Sequence, residues 1–309
     1  MGLSRFLRWW WAEPFAVCLL LTAACSRSVP PAPVTGTPGA NVRYIIGGDS
    51  RDDTAHVLPW AFREAVARGA TAFFFLGDME LTPELDEHFR KAVPLLGLVA
   101  LYPVLGNHEV RIFGEIPVGH AHAEKAFRER FLDTAITPVH SSIDEKVVYS
   151  ATLPGGVHFI ALDNVSQKGF GAQQLAWLQH DLEEAGATPA VHFIIVGMHK
   201  PLAHNGASTH SMEDDGPAAI ADSDAALALM VKHHVSLLVA SHVHGFASFQ
   251  TSGIPSYITG GLGAPLVGGS GSVQAFHHFL QVDVVGDALK VDVVRFQGAS
   301  SVATEEEKE

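Results

Sequence analysis

Continuous apolar runs, separated by helix-like segments, are the feature that most constrains the fold of this 309-residue chain. The runs are Tyr44–Ile46, Thr71–Leu76, Leu98–Leu105, Phe193–Val196 and Val235–Val239. A strand with one face in water alternates apolar and polar residues, whereas these runs are apolar throughout. Runs of this kind form strands of a sheet that is covered on both faces. We therefore expect an α/β fold with helices on the outside.

Helical patterns fill the intervals between the runs. They lie near His56–Arg68, Pro83–Leu95, Gln173–Ala185 and Asp222–His233. The segment Val147–Leu162 predicts a hairpin that turns at Leu153–Gly156, and Ser248–Phe296 predicts several antiparallel strands. Together these patterns predict two packed mixed sheets with helices outside.

The chain divides by composition into a leader, a linker, one large domain and a tail. Residues 1–24 have a positive start and a short apolar run, as a signal peptide does. Residues 25–41 are rich in proline and predict an extended tether. The domain covers residues 42–298, with a weakly patterned insertion or rim at 110–146, and residues 299–309 form a polar tail.

The leader also contains a candidate lipid anchor. The run Leu21–Cys25 resembles the bacterial lipoprotein processing box, although Thr22 stands where leucine is usual. This predicts an exported protein, lipid-anchored through Cys25 to a bacterial membrane and facing the periplasm or the exterior. The alternative is an ordinary cleaved signal peptide in which Cys25 has no role.

Charge and cysteine content exclude some classes of partner and of structure. The formal net charge of −13 argues against a nucleic-acid-binding surface, because binding to a phosphate backbone needs a basic face. It is compatible with a phosphorylated small molecule, since bound divalent cations invert the field of an acidic site. Both cysteines, Cys18 and Cys25, precede the domain, which therefore contains no disulfide.

Each apolar run ends in a segment that carries metal-ligand chemistry. The segments are Gly48–Arg51, Gly77–Glu80, Gly106–Glu109, Gly197–His199 and Ser241–His244. Their candidate ligands are Asp49, Asp78, Asn107, His199, His242 and His244. Glycine before several of these residues lets the chain turn sharply at the end of a strand. The carboxyl ends of several strands would thus assemble a two-metal hydrolytic site.

These motifs resemble the signature of the calcineurin-like metallophosphoesterases, which runs D-x-H, G-D, G-N-H-D/E, H and G-H-x-H. The resemblance extends over residues 43–296. Gln174–Leu182 and Gly260–Pro265 are similar to a helix and a loop of the purple-acid-phosphatase-like branch. The resemblance implies a four-layer sandwich of two mixed β-sheets flanked by helices. It also implies two metal ions, for which manganese, iron and zinc all suit the nitrogen and oxygen ligands.

The resemblance further implies a role for each residue of the site. Asp78 would bridge the two ions. The other ligands would divide into two sets, Asp49 and His244 for one ion, and Asn107, His199 and His242 for the other. His108 would act as general acid toward the leaving-group oxygen. Glu109 would lie behind the ligands and orient His108 or one of them.

The chain departs from the family pattern in the first motif, where Arg51 replaces the usual histidine. A guanidinium cannot ligate a metal, but it could hold a phosphate oxygen. His56 is a candidate replacement ligand, and the alternative is that it only starts a helix. Leu81 stands where purple acid phosphatases carry a metal-binding tyrosine, which argues against a purple iron site. Ser241 replaces a glycine, which should be tolerated.

The leading interpretation is a phosphomonoesterase that uses a hydroxide bridging two metal ions. A phosphodiesterase acting on nucleotide or phospholipid-derived substrates is the first alternative. The second is a surface lipoprotein of the same fold that binds without catalysis. We also expect His204 and His210 to be solvent-exposed loop histidines, and Asp214–Asp215 to be solvated charge.

Overall fold

The computed structural model describes residues 42–79, 89–110, 120–132, 140–143, 147–166, 168–208, 210–267 and 271–298. The predicted signal peptide, tether and polar tail lie outside these residues, as do Glu80, Leu81 and part of the insertion. Within the described ranges, no helix combines the length and the apolar character needed to cross a membrane.

The described strands form two mixed sheets. The first contains β1 (Val42–Gly47), β2 (Ala72–Phe75), β3 (Ala100–Pro103), β11 (His278–Val285) and β12 (Ala288–Arg295). The second contains β4 (Ser141–Ser142), β5 (Tyr149–Leu153), β6 (Val157–Ala161), β7 (Phe193–Met198), β8 (Leu237–Ala240), β9 (Phe246–Thr251) and β10 (Ile254–Thr259). The strand orders are β12-β11-β1-β2-β3 and β4-β5-β6-β7-β8-β10-β9.

Helices and short turns connect the strands. In the described part of the chain, the α-helices with both ends defined are α1 (Val57–Ala67), α2 (Asn107–Val110), α3 (His120–Phe127), α4 (Gly171–Ala187) and α5 (Pro217–Lys232). A π-helical turn at Arg128–Leu132 directly follows α3. Turns of 3-10 helix lie at Val93–Leu96, Pro154–Gly156 and Met212–Asp215.

The phenylalanines of β2 show why the fold has four layers. Phe73 meets Phe62 of α1 edge to face at 5.1 Å, on the outer side of the first sheet. Phe74 points the other way and stacks on Phe159 of the second sheet at 4.0 Å. Helices α4 and α5 bury residues such as Leu178 against the far side of the second sheet. Because both faces of the central strands are covered, strands such as β2, β7 and β8 are apolar throughout, as the sequence predicted.

The topology brings the ligand-bearing strand ends to one edge. Strands β1, β2 and β3 are parallel, and so are β6, β7 and β8. The backbone N–H of Gly48, just after β1, donates to the carbonyl of Thr259 at the end of β10. This bond joins the two sheets beside the site.

Most element predictions are confirmed, with differences at particular boundaries. The predicted hairpin is β5–β6, which turns through Pro154–Gly156. Helix α5 begins at Pro217, five residues before the predicted start, because Pro217 suits the first helical turn. The strand β10 pairs parallel with β8, so the C-terminal strands are not all antiparallel as predicted. The segment Ser141–Ser142 of the predicted insertion forms an edge strand of the second sheet.

Candidate metal centre

Three of the six candidate ligands lie on left-handed backbone. The φ angles are 61° at Asp49, 57° at Asp78 and 67° at His242. Side chains other than glycine rarely adopt this region, which costs on the order of 1–3 kcal/mol at each position. The turn redirects each side chain as its strand ends, and the surrounding hydrogen bonds hold it there. Strain concentrated at these residues is typical of a functional site.

Two glycines let the loops after β2 and β3 approach each other. A Cβ on Gly106 would lie 2.1 Å from the backbone nitrogen of Asp78, and one on Gly77 would lie 2.6 Å from the Cα of Gly106. Any larger residue at either position would push the loops of Asp78 and Asn107 apart. Glycine is therefore required here by close packing as well as by the turn.

The structure brings the six candidate ligands together in two groups that share Asp78. One group contains ligand atoms of Asp49, Asp78 and His244, and the other contains those of Asp78, His199 and His242. Within each group the atoms lie within 4.8 Å of one another. The Oδ1 of Asn107 lies 2.9 Å from Nε2 of His199, which adds the amide to the second group.

Hydrogen bonds behind the imidazoles leave their lone pairs facing the centre. Nδ1 of His199 donates to the carbonyl oxygen of Leu76 at 2.8 Å, so its Nε2 carries the lone pair. Nδ1 of His244 donates in the same way to the carbonyl of Pro265 at 2.9 Å. Such outer partners fix the tautomer and the ring orientation of a metal-binding histidine.

The second group gathers several nitrogen and oxygen ligand atoms around Nε2 of His199, as a metal-binding site does. The lone pair on Nε2 of His199 faces Oδ1 of Asn107, Oδ1 of Asp78 at 3.4 Å and Nδ1 of His242 at 3.1 Å. Burial lowers the pKa of His242 to about 2, and the neighbouring His199 acts in the same direction. Burial also lowers the pKa of His199, so both rings are neutral and able to ligate a metal.

The two carboxylates are buried side by side, which favours a positive charge between them. Burial and the neighbouring Asp49 raise the pKa of Asp78 well above its usual value. Burial alone would raise the pKa of Asp49, but the nearby imidazoles of His244, His199 and His242 outweigh it and lower the pKa to about 2. Oδ1 of Asp49 has no hydrogen-bond partner among the described residues, although it is buried. An unpartnered buried carboxylate oxygen fits a metal ligand, so the residues present fit a two-metal centre.

Glu109 holds the loops that carry the ligands. It is 2% exposed and accepts three backbone N–H bonds, from Asp78 at 2.9 Å, Met79 at 2.7 Å and Gly106 at 2.6 Å. The sequence predicted that Glu109 would orient His108 or a ligand. In the structure it fixes the backbone on both sides of the Gly77–Gly106 contact, and so positions Asp78 and Asn107 together.

The centre opens into a cleft of about 610 Å³. His108 and Arg51, the two residues predicted to be catalytic, both line it. Nε2 of His108 lies 3.6 Å from Oδ2 of Asp78, beside the shared carboxylate. The Nε of Arg51 is buried and has no hydrogen-bond partner among the described residues.

The structure does not bring His56 into the centre. His56 is exposed, precedes α1 and belongs to neither ligand group. It makes no side-chain hydrogen bond to the helix, which is capped by Asp53 through the N–H groups of Val57 and Leu58. The position of His56 therefore fits a residue that starts a helix, and does not fit a replacement metal ligand.

The cleft and the loop beside it contain residues whose contacts the sequence did not predict. Nζ of Lys200 forms an ion pair with both carboxylate oxygens of Asp215, at 2.6 and 2.8 Å. Asp215 is therefore not solvated charge as expected. His210 is 56% exposed, but its ring stacks on that of His242 at 4.4 Å, and its Nδ1 lies 2.7 Å from Asp214. His204, with a side chain 61% exposed, pairs with Glu213 in the loop.

One family model matches a large part of this chain. Residues 45–246 match the model of the calcineurin-like phosphoesterase family. No curated protein sequence gives a significant match.

Solved structures share the fold at low sequence identity. A purple acid phosphatase from yellow lupin (Lupinus luteus) superposes with a TM-score of 0.62 at 15% identity, over 83% of this chain and 52% of that one. A dimetal phosphatase from Danio rerio gives 0.58 at 14% identity, over 82% of this chain and 96% of that one. An anchor protein in the inner membrane complex of Plasmodium gives 0.56 at 14% identity, over 82% and 84%. This chain thus spans about half of the lupin protein.

Proposed function

Because the chain belongs to the calcineurin-like phosphoesterase family, we propose that it hydrolyses phosphomonoesters at a centre for two metal ions. The observation that carries the proposal is the pair of ligand groups joined at Asp78. Asp49 and His244 would hold one ion with Asp78. Asn107, His199 and His242 would hold the other. Manganese, iron and zinc all suit such ligands.

Two bound metal ions would supply Lewis acidity and a nucleophile derived from water at neutral pH. Residues of the chain itself would donate the proton to the leaving group and hold the metal ligands in place. His108 lies at the shared carboxylate and faces the cleft, where it can donate a proton to the leaving-group oxygen. Asp78 and Asn107 are held at a fixed separation by Glu109, so the ligands are in place before the substrate arrives.

Arg51 favours a monoester over a diester. A monoester presents one more unesterified phosphate oxygen than a diester does, and a guanidinium in the cleft can bind it. This residue stands where the family carries a metal-binding histidine. We propose that the chain has exchanged one imidazole ligand for a phosphate-binding cation.

The proposal also covers the location of the protein. We propose that it is exported and lipid-anchored through Cys25, as residues 1–25 predict. Labelling with a lipid precursor tests this, and a Cys25→Ala variant should lose both the label and membrane association. Label retained in Cys25→Ala would contradict the anchor.

Hydrolysis of an aryl phosphate and of the matching bis-aryl phosphate tests the activity. With manganese, iron or zinc added, the wild type should cleave the monoester in preference to the diester. Asp78→Ala and His242→Ala should abolish cleavage, while His108→Ala should lower kcat with little change in metal content. Preference for the diester would replace the proposal by the phosphodiesterase alternative. Cleavage of neither, with metal bound, would favour a binding protein.

A further inference from the structure

Two Lys or Arg side chains line the described part of the cleft, and they differ in their partners. Arg51 has a buried Nε without a hydrogen-bond partner. Lys200 is different, since both carboxylate oxygens of Asp215 hold its Nζ at 2.6 and 2.8 Å. The two side chains of this pair are only 14% and 10% exposed. Water therefore screens the pair little, and Lys200 is already neutralised.

The backbone of Lys200 is held as firmly as its side chain. The amide of Asn164, at the end of β6, accepts from the N–H of Lys200 at 3.1 Å and donates to its carbonyl at 2.8 Å. Asp215 lies in the 3-10 turn Met212–Asp215, whose first N–H donates to the carbonyl of Pro201 at 3.0 Å. Since the backbone is held in place at both Lys200 and Asp215, the ion pair is a fixed part of the cleft wall.

The remaining charge on this wall is negative. Asp214 lines the cleft with a side chain 52% exposed, and its Oδ2 lies 2.7 Å from Nδ1 of His210. A leaving group with a second anionic group would meet Asp214, while the charges of Lys200 and Asp215 compensate each other and offer it no cation. A neutral or cationic leaving group meets no such repulsion.

We infer that the Lys200–Asp215 pair is a specificity-determining element. By withholding the charge of Lys200, it makes the cleft favour esters with a single phosphate group whose leaving group is uncharged or cationic. The inference rests on the proposed function, because it concerns the leaving-group side of the same cleft.

Three phenyl phosphates with para substituents of different charge test the inference. The substituents are carboxamide (neutral), carboxylate (anionic) and aminomethyl (cationic), and kcat/KM is measured for each with the metal-loaded protein. The wild type should prefer the carboxamide to the carboxylate by about tenfold, and should accept the aminomethyl compound as well as the carboxamide. Raising the salt concentration should reduce this preference, because Asp214 is half exposed.

Two variants of the pair should move the preference in opposite directions. Asp215→Asn frees Lys200 and should lower the ratio of carboxamide to carboxylate about tenfold relative to the wild type. Lys200→Gln leaves Asp215 uncompensated and should raise the ratio above that of the wild type. Asp224→Asn, which removes an exposed carboxylate on α5, is the matched control and should keep the wild-type ratio. The kcat/KM ratio of each variant is divided by that of the wild type, so differences in the reactivity of the phenols cancel.

The outcomes separate this inference from the proposed function. No hydrolysis of any of the three compounds would overturn both. Hydrolysis with the same ratio in wild type, Asp215→Asn and Lys200→Gln would overturn only the role of the pair. A merely structural role would lower all three kcat/KM values together and leave their ratios unchanged, which also contradicts the inference.

Discussion

Replacing Glu109 by glutamine should destabilise the domain and loosen the metal centre. The carboxylate of Glu109 is buried and accepts three backbone N–H bonds. Oε2 serves Asp78 and Gly106, and Oε1 serves Met79. In glutamine one of these oxygens becomes an NH₂ group. At least one backbone N–H then loses its acceptor and faces another donor.

The magnitude follows from that loss. A hydrogen bond to a charged group contributes about 1.5–3 kcal/mol, and a buried donor left without a partner costs about 1–3 kcal/mol. These two contributions partly describe the same lost hydrogen bond and are not simply added. We therefore expect Glu109→Gln to lower the free energy of unfolding by about 2–4 kcal/mol. The affinity for metal should fall about tenfold or more, since Asp78 and Asn107 lie on the loops that Glu109 holds.

Urea denaturation of the metal-free protein measures the first effect, because bound metal would otherwise stabilise the folded state. Metal titration of the folded protein measures the second. Glu183→Gln changes an exposed residue of α4 in the same way and should stay within about 0.5 kcal/mol of the wild type. If Glu109→Gln behaved like this control in both measurements, the claim that Glu109 positions the ligands would be refuted.

Three further changes test other parts of the account. Arg51→Ala should raise KM several-fold with little change in kcat in steady-state kinetics, because Arg51 is proposed to bind the phosphate; an unchanged KM would remove that role. Hydrogen bonding to Arg43 lowers the pKa of Asp283 in the folded protein. Their ion pair therefore stabilises the fold at pH values above the pKa of Asp283 in the unfolded chain. This stabilisation is lost as the pH falls through the pKa in the folded protein. Asp283→Asn should therefore cost about 1 kcal/mol at pH 7, and thermal melts should show the gap closing below about pH 4; a gap independent of pH would contradict this. Phe74→Ala should lower the free energy of unfolding by about 3–5 kcal/mol, because Phe74 is fully buried against Phe159; a loss below about 1 kcal/mol by urea denaturation would contradict tight packing between the sheets.

The sequence predicted the sheets and the ligands because both leave short local patterns. Strands such as Ala72–Phe75 are apolar on both faces, and each ligand follows its strand within a few residues. Parallel strands deliver those ends to one edge, so the order of the motifs was enough to predict a shared site.

The residues that the sequence did not reveal act through distant contacts. Asp215 lies in an acidic run that is typical of solvated charge, and only the folded chain shows that it pairs with Lys200. Asn164 clamps Lys200 from 36 positions away along the chain. His56 shows the opposite case, since its spacing suggested a ligand while its left-handed backbone places it at the start of α1. Spacing along the chain predicts neighbours within a loop, but not contacts between loops.

Counting bound metal in the wild type and in ligand variants tests whether Asp78 joins two metal sites. We expect about two ions per chain in the wild type, because two ligand groups share Asp78. His244→Ala and His242→Ala should each retain about one ion, since each disrupts only one group, whereas Asp78→Ala should retain almost none. Fewer than about one ion per wild-type chain after reconstitution, or full occupancy in Asp78→Ala, would contradict a two-metal centre built on Asp78.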